Sequence, residues 1–449
     1  LPYGMKLHNR GVRQDVRELG ALLGDVLKEQ TSTDSFETVE ELRQTAIAYR
    51  EGDIDSREEL RETFEQLSPS EEGDVARAFA TYFELINLAE ERERVRSVRQ
   101  GSQEGTLDDS LHDTVEALSE AGADTETVRS VLNDVLIEPT FTAHPTEARR
   151  GTVKAKLRSI ARHLETLDTE RLTDSEAEDV WQDIDAEVTS LWQTRQVRQR
   201  PPEPQDEARN VQWYLENTLF DVVGEVYSEF EEIVTDEYPD IDLPKLFEFR
   251  SWAGSDRDGN PYVTVDVTQD TLERQREIVL DRYRTQLKRL SAILSQDGDR
   301  CPTTGAFQAS LDADFEQFPM LTGEAEERYP DEPYRQKLRL MRERLNRIGD
   351  VRPGGYEDDD QLLEDLETIN ASLRAYGGSD IAEAFVEPLL RQVSTFGFSL
   401  ASLDLRDHRI QHTKAIDEAL AEEGIDYRSL EEDERVELLT DAILQDEPL

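Results

Sequence analysis

Three times along this chain a short apolar run ends in a polar, charged or glycine-rich loop and passes towards a helix. Leu136, Ile137 and Phe141 lead to His144, Leu246, Phe247 and Phe249 lead to Asp256 to Asn260, and the strand-like Phe396 to Leu405 leads to Arg406 and a helix from about His412. Repeated strand, loop and helix is the pattern of parallel strands joined by helical crossovers, and loops at the C-terminal ends of such strands are where barrel enzymes hold their active sites. The expected class is therefore α/β and predominantly helical. The rhythm alone does not distinguish a closed barrel from an open sheet. Long helical patterns, Ala76 to Arg99 and Thr271 to Leu294 among them, fill much of the remainder, with no internal repeat.

The first loop carries the most chemistry. Pro139-Thr140-Phe141-Thr142-Ala143-His144-Pro145-Thr146-Glu147-Ala148-Arg149-Arg150 sets a histidine, threonines, an acid and two arginines at the mouth of a helix whose Val153, Leu157, Ile160 and Leu164 lie three to four apart. Pro145 fits the first helical position, which makes His144 the N-cap. Glu147 then falls where a capping-box acid reaches back to the cap. An anion placed there meets free backbone N–H groups and the positive end of the helix dipole. The same dipole, with Arg149 and Arg150 one turn on, disfavours imidazolium, so His144 is expected to be neutral and able to accept a proton. A plain capped helix accounts for Pro145 and Glu147 but leaves the repeated threonines and arginines unexplained.

Three further segments stand out. Arg200-Pro201-Pro202-Glu203-Pro204-Gln205-Asp206-Glu207-Ala208-Arg209, followed by Tyr214 and Thr218-Leu219-Phe220, reads as a proline-stiffened turn entering a helix. Ser251 to Thr264 contains Asp256-Arg257-Asp258-Gly259, whose glycine comes at the fourth position where an EF-hand needs it at the sixth, so calcium is not the reading. In Phe396 to His412, His408 and His412 are four apart as in a zinc site, but no Glu or Cys partner sits with them, and surface roles are expected.

Thr140 to Glu147 with Arg150 resembles the active-site histidine signature of the phosphoenolpyruvate carboxylases, and the other three segments resemble the same family in the same order. Two departures are visible. Gly151 stands where the family usually has a second basic residue, the extra charge being carried at Arg149. Beyond Arg406, Asp407, His408, Arg409 and Gln411 replace the more usual Gln, Glu, Ser and Arg, while His412 agrees.

The resemblance implies a mostly helical protein built round an eight-stranded β/α barrel that binds phosphoenolpyruvate or pyruvate. The expected division is an N-terminal helical region over residues 1–135, then over residues 136–449 the first part of the barrel, with helical insertions. It implies carboxylation of phosphoenolpyruvate by bicarbonate to oxaloacetate and phosphate, with Mg2+ or Mn2+, in a homotetramer. Bicarbonate attacks the phosphorus, and the enolate of pyruvate then attacks the carbon dioxide released from carboxyphosphate. His144 would take the proton from carboxyphosphate or steady it, and Arg406 would hold phosphate oxygens. Arg149, Arg150 and Arg257 would make the pocket basic, with Thr142, Thr146, Glu147, Asp256 and Asp258 supporting it. The acidic metal ligands, a Gly-Arg-Gly-Gly loop and the feedback-inhibitor site are expected beyond Leu449, so residues 1–449 alone are expected to be inactive. Two other readings stay open: a phosphotransferase with a phosphohistidine at His144, and a non-catalytic acidic helical scaffold, which leaves the ordered motifs unexplained.

Composition adds an independent constraint. Acidic residues number 101 against 51 basic ones, of which 8 are lysine and 43 arginine, for a net charge of −50. The acids are spread along a chain that keeps helical apolar periodicity, which indicates a folded protein with a hydrated anionic surface. Such a surface suits molar salt, where the Debye length is about 3 Å, so a halophile is expected. The charge excludes nucleic acid and anionic membranes as partners. Cys301, the one cysteine, forms no intramolecular disulfide, and no apolar stretch approaches the roughly 20 residues needed to span a bilayer. Leu1-Pro2-Tyr3-Gly4 has no signal-peptide pattern, and a cytoplasmic protein is expected. Composition suggests soft boundaries near Gly101 to Asp124, Gln296 to Pro333 and Gly349 to Asp360.

Overall fold

Apolar residues three and four apart build helices along most of the chain, and among the described residues the one sheet is small. The computed structural model describes residues 7–31, 33–54, 56–107, 110–142, 151–196, 202–258 and 260–444. Two units emerge, Leu1–Ser110 with Pro145–Pro201, and Leu111–His144 with Pro202–Leu449. Both are discontinuous in sequence. Among the described residues no helix is long and apolar enough to cross a membrane.

In the first unit the Val12–Gln30, Pro69–Glu104, Gly151–Thr169 and Asp174–Gln193 helices share one core, in which Leu19, Leu23, Leu85, Ile160, Leu164 and Val188 are buried. The apolar stripe of the Gly151–Thr169 helix is why this segment joins the N-terminal helices. The longest helix starts where its sequence says it should. Ser68 accepts the Glu71 N–H while the Glu71 carboxylate accepts the Ser68 N–H, Pro69 takes the first helical position, and Gly105 closes the far end in the left-handed region.

In the second unit, strands β1 (Thr140–Phe141), β2 (Arg250–Ser251) and β3 (Ser402–Leu403) form a parallel sheet in the order β1-β2-β3. Thr140 lies opposite Arg250, and Arg250 opposite Ser402. Isolated bridges continue the ladder, Ile137 with Phe247 before the strands and Asp256 with Arg406 after them. Below β2 the ring of Phe249 stacks on Phe396, which stacks on Phe220, with centroids 5.3 Å apart in both pairs. The three strand-like runs thus form one parallel sheet, but each contributes far fewer strand residues than its apolar length suggests. Phe396 ends the Glu387–Phe396 helix, Gly397 turns the chain at a φ of 50°, and the Tyr283 hydroxyl donates to the Gly397 carbonyl at 2.7 Å. Strand begins only at Ser402.

Of the three compositional soft spots, Gly101 to Asp124 contains the boundary between units at Ser110 and Leu111. Gln296 to Pro333 is instead packed. It forms the Gly305–Gln317 and Pro319–Arg328 helices and buries Phe307, Leu311 and Phe318 in the core of the second unit.

Candidate active site at the strand ends

Parallel strands deliver their C-terminal ends to one edge, so the residues after β2 and β3 meet there. The guanidinium of Arg406 lies over the indole of Trp252, 4.0 Å from the ring centroid, and its Nη1 donates to Asp256 Oδ2 at 3.2 Å. Its side chain is 41% exposed, and Asp256 is its one carboxylate partner among the described residues. Donors remain for a further anion.

Arg257 points to the same chemistry. Its backbone N–H donates to the Arg406 carbonyl at 2.7 Å, which ties the loop after β2 to the exit of β3. Among the described residues its Nη2 reaches only Thr268 Oγ1, at 3.4 Å, and its buried Nε meets no partner. No carboxylate among the described residues pairs with it. What sets Arg257 apart is its place at the strand ends beside Arg406. Asp258 is exposed, and its N–H donates to Asp256 Oδ1 at 3.1 Å, so the pair closes a tight turn.

Behind these residues lies a layer that the sequence reading did not assign. Asp404 accepts from Trp252 Nε1 at 3.0 Å and from Arg250 Nη1 at 3.2 Å. Arg250 also donates to Glu138 at 2.7 Å and lies 3.6 Å from Glu248, so one guanidinium gathers acids from all three strand segments. Glu138 first, then Asp404, holds Arg250 above its ordinary pKa. The Ser255 hydroxyl donates to the Asp404 carbonyl at 2.9 Å. The available signal was an arginine inside an apolar strand with acids at the matching positions of its neighbours.

Gly254 shapes the loop. Its φ is 87°, and a Cβ there would lie under 3.0 Å from Thr271 Oγ1. Gly254→Ala is expected to cost about 1–3 kcal/mol through overpacking alone, read as a lower urea midpoint at unchanged slope.

The structure therefore brings together Arg406, Asp256, Arg257 and Asp258. Thr142 continues from β1 and is half-buried. His144, Thr146, Glu147, Arg149 and Arg150 lie outside the described residues. His408 and His412 are exposed. The first caps the Arg409–Glu422 helix by accepting the Ile410 N–H at 3.3 Å, as a surface histidine would. The strand-end carboxylates do not fit a divalent metal, because Asp256 and Asp404 are both engaged by arginine while magnesium needs free carboxylates and several waters. The one grouping of three metal-type side chains among the described residues, His112, Asp113 and Glu116, lies exposed on the Leu111–Glu120 helix.

The chain matches the phosphoenolpyruvate carboxylase family over residues 12–449. It is 34% identical to the phosphoenolpyruvate carboxylase of Roseiflexus castenholzii, over all of this chain and 50% of that protein. It is 35% identical to that of Xanthomonas euvesicatoria, over 92% of this chain and 46% of that one. The corresponding protein of Paraburkholderia xenovorans is 34% identical over 97% of this chain and 46% of its own length. The chain spans about half the length of the curated relatives it matches. A match of this extent, with four motifs in family order, means that the chain belongs to the phosphoenolpyruvate carboxylase family.

Proposed function

We propose that this chain is the N-terminal half of a phosphoenolpyruvate carboxylase and carries its phosphate-holding side. The observation that carries the reading is the pair of arginines at the strand ends, Arg406 with one carboxylate partner and Arg257 with none among the described residues. A chain of net charge −50 repels phosphoenolpyruvate and bicarbonate at long range; salt screens that repulsion, and local guanidinium groups supply the short-range attraction.

In this reading Arg406 takes phosphate oxygens with the donors that Asp256 leaves free. Arg257, Arg149 and Arg150 balance the remaining negative charge. Bicarbonate attacks the phosphorus to give carboxyphosphate and the enolate of pyruvate. His144 takes the proton of carboxyphosphate as it breaks down, and the enolate attacks the carbon dioxide released. Thr142, Thr146 and Glu147 support the histidine, and Asp256 and Asp258 support the loop after β2. Magnesium or manganese would stabilise enolate and phosphate charge when bound; Asp256 and Asp404, both engaged by arginine, do not fit it. The three parallel strands are read as the start of the β/α barrel, and the whole enzyme as a cytoplasmic homotetramer.

The test is oxaloacetate formation by the full-length protein from phosphoenolpyruvate, bicarbonate and magnesium in about 3 M KCl, which screens the surface charge. Bicarbonate-dependent activity is expected. Its absence in a folded, metal-loaded protein, with labelled phosphate trapped on histidine, would move the reaction to phosphotransfer. Residues 1–449 assayed alone are expected to form no oxaloacetate, and measurable product from them would overturn the division of labour proposed here.

A further inference from the structure

Arg406 ends a long, flexible stem, and its side chain is 41% exposed. Binding an anion with such a group costs rotamer freedom unless something fixes it beforehand. The structure supplies a fixed surface. Trp252 is anchored at two points, its backbone N–H donating to the Phe141 carbonyl at 2.8 Å and its indole N–H to Asp404 Oδ2 at 3.0 Å. Asp404 is itself held by its N–H on the Ser251 carbonyl at 3.0 Å and by Arg250 at 3.2 Å. The anchors come from the strands on both sides of β2, so the indole plane is set by the sheet. The guanidinium rests on that plane at 4.0 Å, with Asp256 fixing one edge.

We infer that Trp252, oriented by Asp404, is a positioning residue for Arg406, so that the phosphate affinity of the site depends on an indole face and a carboxylate that act through the arginine. The inference rests on the reading of Arg406 as the phosphate-holding group. A tryptophan present only to fill space would not need its N–H on a carboxylate shared with a second arginine. Nor would it need to present its face to a half-exposed guanidinium that has a single carboxylate partner among the described residues.

The test uses the full-length protein in high KCl, with saturating bicarbonate and magnesium, phosphoenolpyruvate varied and inorganic phosphate as inhibitor. Trp252→Leu is expected to raise KM for phosphoenolpyruvate and the inhibition constant for phosphate together by about 2- to 30-fold, the range of a cation–π contact. The expected change in kcat is much smaller. Trp252→Phe keeps a ring face without the indole N–H and is expected to recover part of the loss. Asp404→Asn, which keeps an acceptor for the indole, is expected to do less harm than Asp404→Leu. In an Arg406→Gln background, Trp252→Leu is expected to add little.

If Arg406→Gln raises KM while a folded Trp252→Leu does not, the inference fails and the phosphate role of Arg406 stands. If Arg406→Gln itself leaves KM and phosphate inhibition unchanged, the underlying reading fails instead. Should Trp252→Leu not fold, Trp252→Phe and Asp404→Leu decide: unchanged phosphate inhibition in both would overturn the platform role.

Discussion

Lys337→Met is expected to destabilise the fold by about 3–5 kcal/mol, the cost of removing one partner from a buried ion pair. The Lys337 side chain has no solvent exposure, and its ammonium lies 2.6 Å from Asp314 Oδ2, 2.6 Å from Asp365 Oδ1 and 2.7 Å from the Ser310 hydroxyl. Arg344 lies 2.8 Å from Asp365 Oδ2 and 3.6 Å from Asp314 Oδ1, with its guanidinium 3.9 Å from the centroid of the Tyr356 ring. The Tyr356 hydroxyl donates to Asp365 Oδ2 at 2.7 Å. Two bases and two acids make the cluster neutral; methionine leaves it with one uncompensated negative charge. Burial already pushes Asp314 above the ordinary carboxylate range, with Lys337 pulling the other way. Without the lysine, Asp314 rises further. A folded-state pKa above the unfolded value means that the folded state binds the proton more readily, so stability is gained as pH falls through the folded pKa towards the unfolded one. The cost of Lys337→Met should therefore be smaller at pH 5 than at pH 8, read from urea midpoints in constant KCl. Adding Asp314→Leu should recover part of it, because an apolar replacement of both partners leaves no charge unpaired. A double variant less stable than Lys337→Met would show that the aspartate does more than balance the lysine.

Nothing in the sequence marked Lys337. It is one of only 8 lysines, and its partners Asp314 and Asp365 come from separate helices, so packing alone makes the cluster. The same limit explains what else was legible. Local signals were read well: the long helix Pro69–Glu104 covers the pattern Ala76 to Arg99, Val265–Ile293 covers Thr271 to Leu294 but for its last residue, which is the C-cap, and the proline turn at Pro204 opens a helix. The strand runs were placed in one parallel sheet but overestimated in length, because apolar residues such as Phe396 serve a helix end and a ring stack instead. At the site, Arg406 and Asp256 were named from motifs and do meet. Arg250, Trp252 and Asp404 were passed over because their meaning lies in strand register, which sets residues roughly 110 to 150 positions apart side by side. The units were harder still. Whether the Gly151–Thr169 helix packs with what precedes or follows it depends on which apolar stripe meets which, and several stripes in this chain have the same period.

Lowering KCl from 3 M to 0.1 M is expected to lower the urea midpoint continuously, until much of the chain is unfolded without denaturant. Runs such as Glu90-Glu91, Glu357-Asp358 and Glu422-Glu423 are exposed. Surface pairs such as Arg43 with Glu40 and Arg61 with Glu65 add little each, and with 51 bases for 101 acids about half of the acids have no base to meet. Acids one helical turn apart stand about 5–6 Å from one another. At 0.1 M the Debye length is about 10 Å, so they repel; at 1 M it is about 3 Å, and they largely do not. The interior behaves differently. Arg96, 4% exposed, bridges Asp15 and Asp168 in the first unit, and Lys337 bridges Asp314 and Asp365 in the second, where salt does not reach. The cost of Lys337→Met should consequently be the same in every KCl concentration at which the chain still folds, while the parent stability changes several-fold. A parent midpoint equal at 0.1 M and 3 M KCl would mean that the acidic surface is not an adaptation to salt. A Lys337→Met cost that grew as salt was withdrawn would place that lysine's main partners among the surface acids rather than in the core.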